Sequence, residues 1–283
     1  MGQYIKSPIN YVGNKYKLLP QMKPLFPQDI DTFVDVFGGS GTVLINTQAK
    51  QYIYNDINHF VADIFEGIIT QTAEDTIAQV DAIIAAYGLS KTNKKGFEQL
   101  RNDYNNGKND WVTLYTLMCY SFNWQMRFNS EHKYNSSWGK DRSSFTTRQR
   151  EAIKALKARV MDNVTITHSS FDAIDFSALT AQDFAYFDPP YLSSTGNYND
   201  GKRGFEGWTK EHEVKLLDLL TQLNTQGVRF ALSNNLKYDN PYLQEWLDTS
   251  SFCTIHSLNK SYSNCSYHKK DRANDEEVLI VNY

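Results

Sequence analysis

Four consecutive residues, Asp188, Pro189, Pro190 and Tyr191, close an apolar run at 184–187. Each proline fixes φ and lacks an N–H, so the backbone just beyond Asp188 offers carbonyl acceptors and no donor. The Asp188 carboxylate adds a further acceptor. A ligand group matched to this set is a pure donor, and an exocyclic amino group is one. On adenine or cytosine that nitrogen is a poor nucleophile, because its lone pair is delocalised into the ring. Acceptors gripping its hydrogens from one side favour a pyramidal nitrogen and free the lone pair toward an electrophile. That stabilises the reacting geometry rather than the resting base. Tyr191 supplies a flat face for stacking, worth about 1–3 kcal/mol in single-strand binders. A Pro-Pro turn at a strand end would explain the prolines but not the acid and ring that flank them.

A second group of residues suits a nucleoside. In "VDVFGGSGTV" (34–43), Gly38 and Gly39 directly follow an apolar run, where backbone can approach a ligand closely. Asp56 ends the next such run, about twenty residues on, the spacing at which an acid accepts from ribose hydroxyls. The spacing "GGSG" fails the G-x-G-x-x-G pattern that cradles a pyrophosphate, which argues against a dehydrogenase and for a smaller cofactor such as S-adenosylmethionine. Upstream, "YVGNK" (11–15) joins an aromatic, a glycine and Lys15, a cation suited to a cofactor carboxylate. A plain helix start capped by Asn14 is the other reading of that stretch.

The elements that must position these residues read as α/β. Strands are expected at 31–37, 51–56, 163–171, 184–187, 228–235, 252–258 and 276–283. "TVLINTQAK" (42–50) has apolar spacing that suits a helix, and 210–226 is an amphipathic helix closed by Gly227. Strand, glycine turn, helix, strand is the opening of a doubly wound sheet. From 57 to 160 the character changes to helices at 60–71, 72–88 and 110–122, with polar, Asn-rich and aromatic stretches between and after them. We therefore expect a discontinuous catalytic domain, 1–57 with 161–283, and an inserted domain at 58–160. No internal repeat is visible.

The formal net charge is −3, yet charge is unevenly spread. Residues 1–24 hold four lysines and no acid, and residues 123–160 hold nine Lys or Arg against three acids. Local clustering of this kind is the footprint of phosphate binding. "RQREAIKALKARV" (148–160) has helical spacing and reads as a solvated face; the run from Arg127 to Arg142 does not. There Arg127, Asn129, Lys133, Lys140 and Arg142 interleave with Phe128, Tyr134 and Trp138, the latter read as rings able to wedge beside or stack on bases. Cys119, Cys253 and Cys265 are odd in number and form no close pair, which suggests reduced thiols in the cytoplasm. Cys265 and His268 alone do not make a zinc site, and no metal is expected. The N-terminus lacks the apolar core of a signal peptide, no stretch is long enough for a membrane span, and Lys6 breaks the myristoylation pattern.

In order, "YVGNK", "FGGSG", Asp56, a basic insert with "MRFN" (126–129), and Asp-Pro-Pro-Tyr resemble the DNA adenine-N6 methyltransferases of the Dam type. The likeness spans nearly the whole chain and matches the group with cofactor motifs before the insert and the catalytic motif after it. It implies a Rossmann-like methyltransferase sheet and a mainly helical target-recognition domain carrying a β-hairpin. It implies that Tyr11 and Lys15 touch S-adenosylmethionine, that Gly38 and Gly39 cradle its methionine moiety, and that Asp56 holds its ribose. Phe171 with Asp172 would pack its adenine. Asp188, with Pro189, Pro190 and Tyr191, would act on N6 of an adenine flipped out of duplex DNA, leaving S-adenosylhomocysteine. Arg127, Asn129, Lys140 and Arg142 would contact the DNA. Relatives that read GATC carry Arg soon after Phe-Gly-Lys or Phe-Gly-Arg; here "WGKDRSS" interposes Asp141 before Arg142, so a GATC-like target is the expectation with that departure. A separately acting restriction endonuclease is a compatible partner. An RNA or protein amino-methyltransferase, or a cofactor-binding regulator without catalysis, would share the fold; the basic insert and the intact acceptor set weigh against them.

Overall fold

A computed structural model describes residues 4–159, 163–192, 207–236, 240–258 and 277–283. Its elements, in chain order, are α1 (Leu19–Met22), β1 (Thr32–Asp35), α2 (Thr42–Ile45) and β2 (Gln51–Asn55). There follow α3 (His59–Thr70), α4 (Ala73–Tyr87), α5 (Lys94–Asn105), α6 (Trp111–Tyr120) and α7 (Thr147–Arg159). The chain then returns to β3 (Val164–Thr167), β4 (Phe184–Phe187), α8 (Lys210–Gln226), β5 (Arg229–Asn235), α9 (Pro241–Thr249), β6 (Thr254–Leu258) and β7 (Glu277–Val281).

The strands form one sheet in the order β3-β2-β1-β4-β5-β7-β6. The first five run parallel, and β7 is antiparallel to both β5 and β6. Parallel strands covered on both faces read as continuous apolar runs, and alternate residues serve opposite layers. Phe33, Phe184 and Tyr186 pack into one core with α3, α5 and α6, while Val34, Ala185 and Phe187 pack into the other with α8 and α9. The helices between β2 and β3 therefore share a hydrophobic core with one sheet face.

The chain steps from β1 outward through β2 to β3, then returns to the other side of β1 as β4. A crevice opens at such a reversal, beyond the carboxyl ends of the two central strands. Asp35 ends β1 and Asp188 follows β4, so the order of strands brings both carboxylates there.

Element ends follow from local chemistry. Thr209 accepts the His212 amide at the start of α8, and Gly227 leaves its end at φ 82°. Thr72 and Asp110 cap α4 and α6 in the same way. Two expectations change. The apolar stretch 42–50 forms only the four-residue α2, because Asn46 and Thr47 turn their side chains onto the carbonyls of Thr42 and Val43 and end it. The polar stretch before residue 110 contains α5, whose Phe97, Leu100 and Tyr104 are buried. The hairpin in the insert consists of the bridges Phe128 to Tyr134 and Ser121 to Trp138. Among the described residues no helix is long and apolar enough to cross a membrane. Cys119 and Cys253 are free, while Cys265 and His268 lie outside the described residues.

Candidate active site

The crevice is a cavity of about 950 Å³ including its open mouth, and its walls come from both ends of the sequence. Tyr11, Lys15, Gly38, Gly39, Asp56, Phe171, Asp188 and Pro190 all line it. The glycine turn needs its glycines. A Cβ on Gly38 would collide with the Tyr54 ring, and Gly39, at φ 50°, brings its backbone against Tyr11. Asp56 fixes that turn: Oδ2 accepts the Gly39 amide at 2.8 Å and Oδ1 accepts the Asn58 amide at 2.8 Å. Asn14 does not cap a helix, since α1 begins only at Leu19. Its amide donates to Ser40 Oγ and Thr42 Oγ1, both at 2.8 Å, and ties the 11–15 loop to the glycine turn.

Lys15 is buried, and its Nζ donates to Asp188 Oδ1 at 2.7 Å and to the Gly13 carbonyl at 3.2 Å. Its partner in the structure is thus the acid of the Asp-Pro-Pro-Tyr segment. The ion pair orients the carboxylate at the cavity wall.

In the sequence Asp35 is simply one residue of a strand. In the structure it is 1% exposed, lines the cavity, and neither oxygen meets a hydrogen-bond partner of good geometry. Burial, then the nearby charges of Asp188 and Asp56, push its carboxyl well above the ordinary value; the Leu44 amide in α2 opposes this weakly. A buried carboxyl without a partner is costly unless a ligand supplies the missing group. Another part of the wall is a cluster of packed aromatic rings. Phe171 lies 5.7 Å from Phe37 and 5.4 Å from Trp208, ring centre to ring centre, and Trp208 stacks on His212 at 5.5 Å. Trp208 and His212 come from the entry of α8, four positions apart on one face, a spacing visible in the sequence but without meaning until α8 is docked.

Several expected site residues stand elsewhere. Asp172 does not join Phe171 in the cavity wall. The one-turn helix there sends the ring inward and the acid outward to Lys215, at 2.8 Å, which holds its carboxyl below the ordinary value. Pro189 and Tyr191 are not among the cavity-lining residues; the Tyr191 phenol donates to Glu277 at 2.9 Å. In the insert, Arg127, Lys140 and Arg142 are exposed. Asn129 instead closes its own turn, its Oδ1 accepting the amides of Glu131 and Lys133. Phe128 and Tyr134 are each 1% exposed, so they are core rings rather than wedges for DNA. Phe128 stacks on Phe60 at 3.9 Å and meets Tyr134 edge-on at 5.5 Å. Asp141 takes φ 58°, and its amide donates to the Lys91 carbonyl, so the interposed residue forms a left-handed turn just before Arg142.

A glycine turn, an acid after the second strand, an aromatic cluster and an acid with two prolines at the switch point define a nucleoside-cofactor enzyme of the Rossmann-like methyltransferase class. Residues 11–264 match the family of D12 class N6 adenine-specific DNA methyltransferases, and the chain belongs to that family. Methyltransferases of this family use S-adenosylmethionine.

Among curated relatives, the type II methyltransferase M.FokI of Planomicrobium okeanokoites is 47% identical over 284 residues, covering 99% of this chain and 43% of that protein. The modification methylase StsI of Streptococcus sanguinis is 43% identical over 286 residues, with the same coverage of 99% and 43%. The chain thus spans less than half the length of these two relatives. The DNA adenine methylase of Escherichia coli K12 is 23% identical over 267 residues, covering 93% of this chain and 91% of that protein.

Proposed function

We propose that this chain transfers a methyl group from S-adenosylmethionine to N6 of an adenine turned out of duplex DNA, within a short recognition sequence. The observation that carries this reading is the position of Asp188, at the carboxyl end of a central strand and in the wall of the same cavity as the aromatic cluster and glycine turn. The residues present fit the cofactor. A cationic ligand answers the buried carboxyl of Asp35, and a purine would lie against the aromatic wall of Phe37, Phe171 and Trp208. Asp56, whose carboxylate can accept more than two hydrogen bonds, would receive ribose hydroxyls. S-adenosylmethionine supplies an electrophilic methyl on a sulfonium and leaves as S-adenosylhomocysteine.

The protein's own part is to present the base. An adenine inside the stack cannot offer its amino group to the cavity, so it must be extruded, at a cost of a few kcal/mol. Asp188 accepts a hydrogen from N6 and, with the carbonyls of a donor-free backbone, favours the pyramidal nitrogen. Lys15 keeps the carboxylate aimed. The amino proton departs to solvent after the bond to carbon has formed. Residues 58–160 serve as the target-recognition part, with Arg127, Lys140 and Arg142 on its exposed face. The names of M.FokI, a type II methyltransferase, and StsI, a modification methylase, support a role in modification, and a separately acting restriction endonuclease is a compatible partner.

Duplex DNA and a matching RNA, each incubated with the protein and S-adenosylmethionine and then sequenced for modified adenine, test this reading. Methyladenine should appear in the DNA at one short sequence. Asp188→Ala should lower turnover by at least the roughly 10²–10³ that one preorganised polar contact provides, while DNA binding survives. Turnover within about tenfold of wild type would remove Asp188 from the chemistry.

A further inference from the structure

The Tyr191 phenol donates to Glu277 Oε2 at 2.9 Å, across 86 positions of sequence. Glu277 opens β7, faces Asn235 on β5 and Leu258 on β6 in the ladder, and is 4% exposed. The strand that follows, Val278 to Val281, is wholly apolar and buried, so the acid stands out from the packing around it. A carboxylate at that depth is costly unless its oxygens are hydrogen-bonded, and an O–H donor to a carboxylate is among the stronger bonds a protein makes. Burial, then Asp188 and Glu277, raise the phenol well above its ordinary value, so it stays a donor.

The other end of Tyr191 is also constrained. Pro189 and Pro190 each fix their own φ just before it, which narrows the backbone's freedom and leaves the ring two side-chain torsions. A bond at the far end of the ring removes that freedom. Lys15 Nζ, already paired with Asp188, lies 5.7 Å from the ring centre. Asp188 and Pro190 line the cavity while Tyr191 is not among its lining residues, so the ring is placed for something that meets Asp188 from outside the cofactor's space.

We propose that Glu277 is a positioning residue for the target base: its carboxylate clamps the Tyr191 phenol and fixes the ring as the platform against which the base is held at Asp188. This inference rests on the function proposed above. The plain structural role, a bond that only anchors β7, makes a different prediction.

The test is a double-mutant cycle of Glu277→Ala and Tyr191→Phe, with Glu277→Gln beside it. Single-turnover rate, KM for S-adenosylmethionine, and fluorescence of 2-aminopurine placed at the modified adenine are the readouts. Glu277→Ala and Tyr191→Phe should each slow transfer about 10- to 100-fold, as small misplacements at a reacting centre do. KM for S-adenosylmethionine should stay within about twofold, because the phenol–carboxylate bond acts on the base. In the Tyr191→Phe background, Glu277→Ala should slow transfer no further. Glu277→Gln, whose amide oxygen still accepts the phenol, should keep most of the rate and the wild-type fluorescence change. It also keeps the test open if the alanine variant fails to fold. Additive losses in the cycle, a KM that rises in step with the loss of rate, or a glutamine variant as slow as the alanine variant would overturn the proposal. A wild-type protein that methylates no adenine overturns the functional reading first; a methylating wild type with an additive cycle overturns this inference alone.

Discussion

Lys15 and Asp188 stand 173 positions apart in sequence and 2.7 Å apart in space. The lysine is 4% exposed and the acid 18%, so the pair is largely withdrawn from water at the wall of the cavity. Among the described residues, Lys15 is the lysine or arginine of that wall, which also holds the carboxyl groups of Asp35, Asp56 and Asp188.

Removing it should therefore cost more than one surface ion pair. Lys15→Ala is expected to lower unfolding free energy by about 3 kcal/mol, the lower end for breaking a buried pair, and to weaken binding of S-adenosylmethionine. Lys15→Ala with Asp188→Ala should recover part of that stability, since no unpaired charge is left behind. Denaturant midpoints check this; a double variant no more stable than Lys15→Ala would show that the cost comes from elsewhere.

Asp35 sets a pH dependence of opposite sign to that of carboxylates held by ion pairs or hydrogen bonds. Its folded-state pKa is raised, first by burial and then by Asp188 and Asp56. Above about pH 4 the unfolded chain has released this proton while the folded protein still holds it, so this group's contribution falls as pH rises through its raised pKa. Asp35→Asn removes the titration. Its melting temperature should gain on that of wild type between about pH 5 and pH 8, while its affinity for S-adenosylmethionine drops. Parallel melting curves across that range would refute the assignment. Calorimetry in buffers of different ionisation enthalpy should also detect proton release when S-adenosylmethionine binds wild type, and less of it in the variant.

The exposed cations and buried rings of the insert should separate cleanly. Arg127→Ala with Arg142→Ala should weaken DNA binding and shrink its salt slope by about one for each phosphate no longer neutralised. Stability should stay within about 0.5 kcal/mol, and S-adenosylmethionine affinity should be unchanged. Phe128→Ala should instead cost about 3–5 kcal/mol of stability, because the ring stacks on Phe60 inside the core. Unchanged DNA affinity in the double arginine variant would remove this face from the DNA interface.

The same contrast explains what could be read from the sequence. The continuous apolar run at 184–187 is legible as a strand because parallel strands here are covered on both faces, and at 32–35 Phe33 and Val34 carry the same signal between Thr32 and Asp35. The ends of α8 are legible because Thr209 and Gly227 are strong cap residues. In the hairpin, alternation sends Arg127 outward and Phe128 inward, so cations and rings that mingle in sequence part in space. Helix α5 is obscured by Gly96 and its asparagines, although Phe97, Leu100 and Tyr104 keep helical spacing. Asp35, Trp208 and Glu277 cannot be assigned from the sequence. Their roles depend on which strands become neighbours and where α8 is laid, and neither is encoded by spacing along the chain.

Strands β1 and β4 are partners in the sheet, Phe33 against Phe184, with α2, β2, the helices α3 to α7 and β3 between them in the chain. Closing so long a loop must precede any reward from pairing, which makes this step slow. On the ribosome, β1, the glycine turn and β2 emerge before the basic insert, and at ordinary translation rates Asp188 follows Arg142 by a few seconds. For that interval the nascent polypeptide carries its basic insert without its acid. On the proposed function, contact with a nucleic acid would come before the means to mark it.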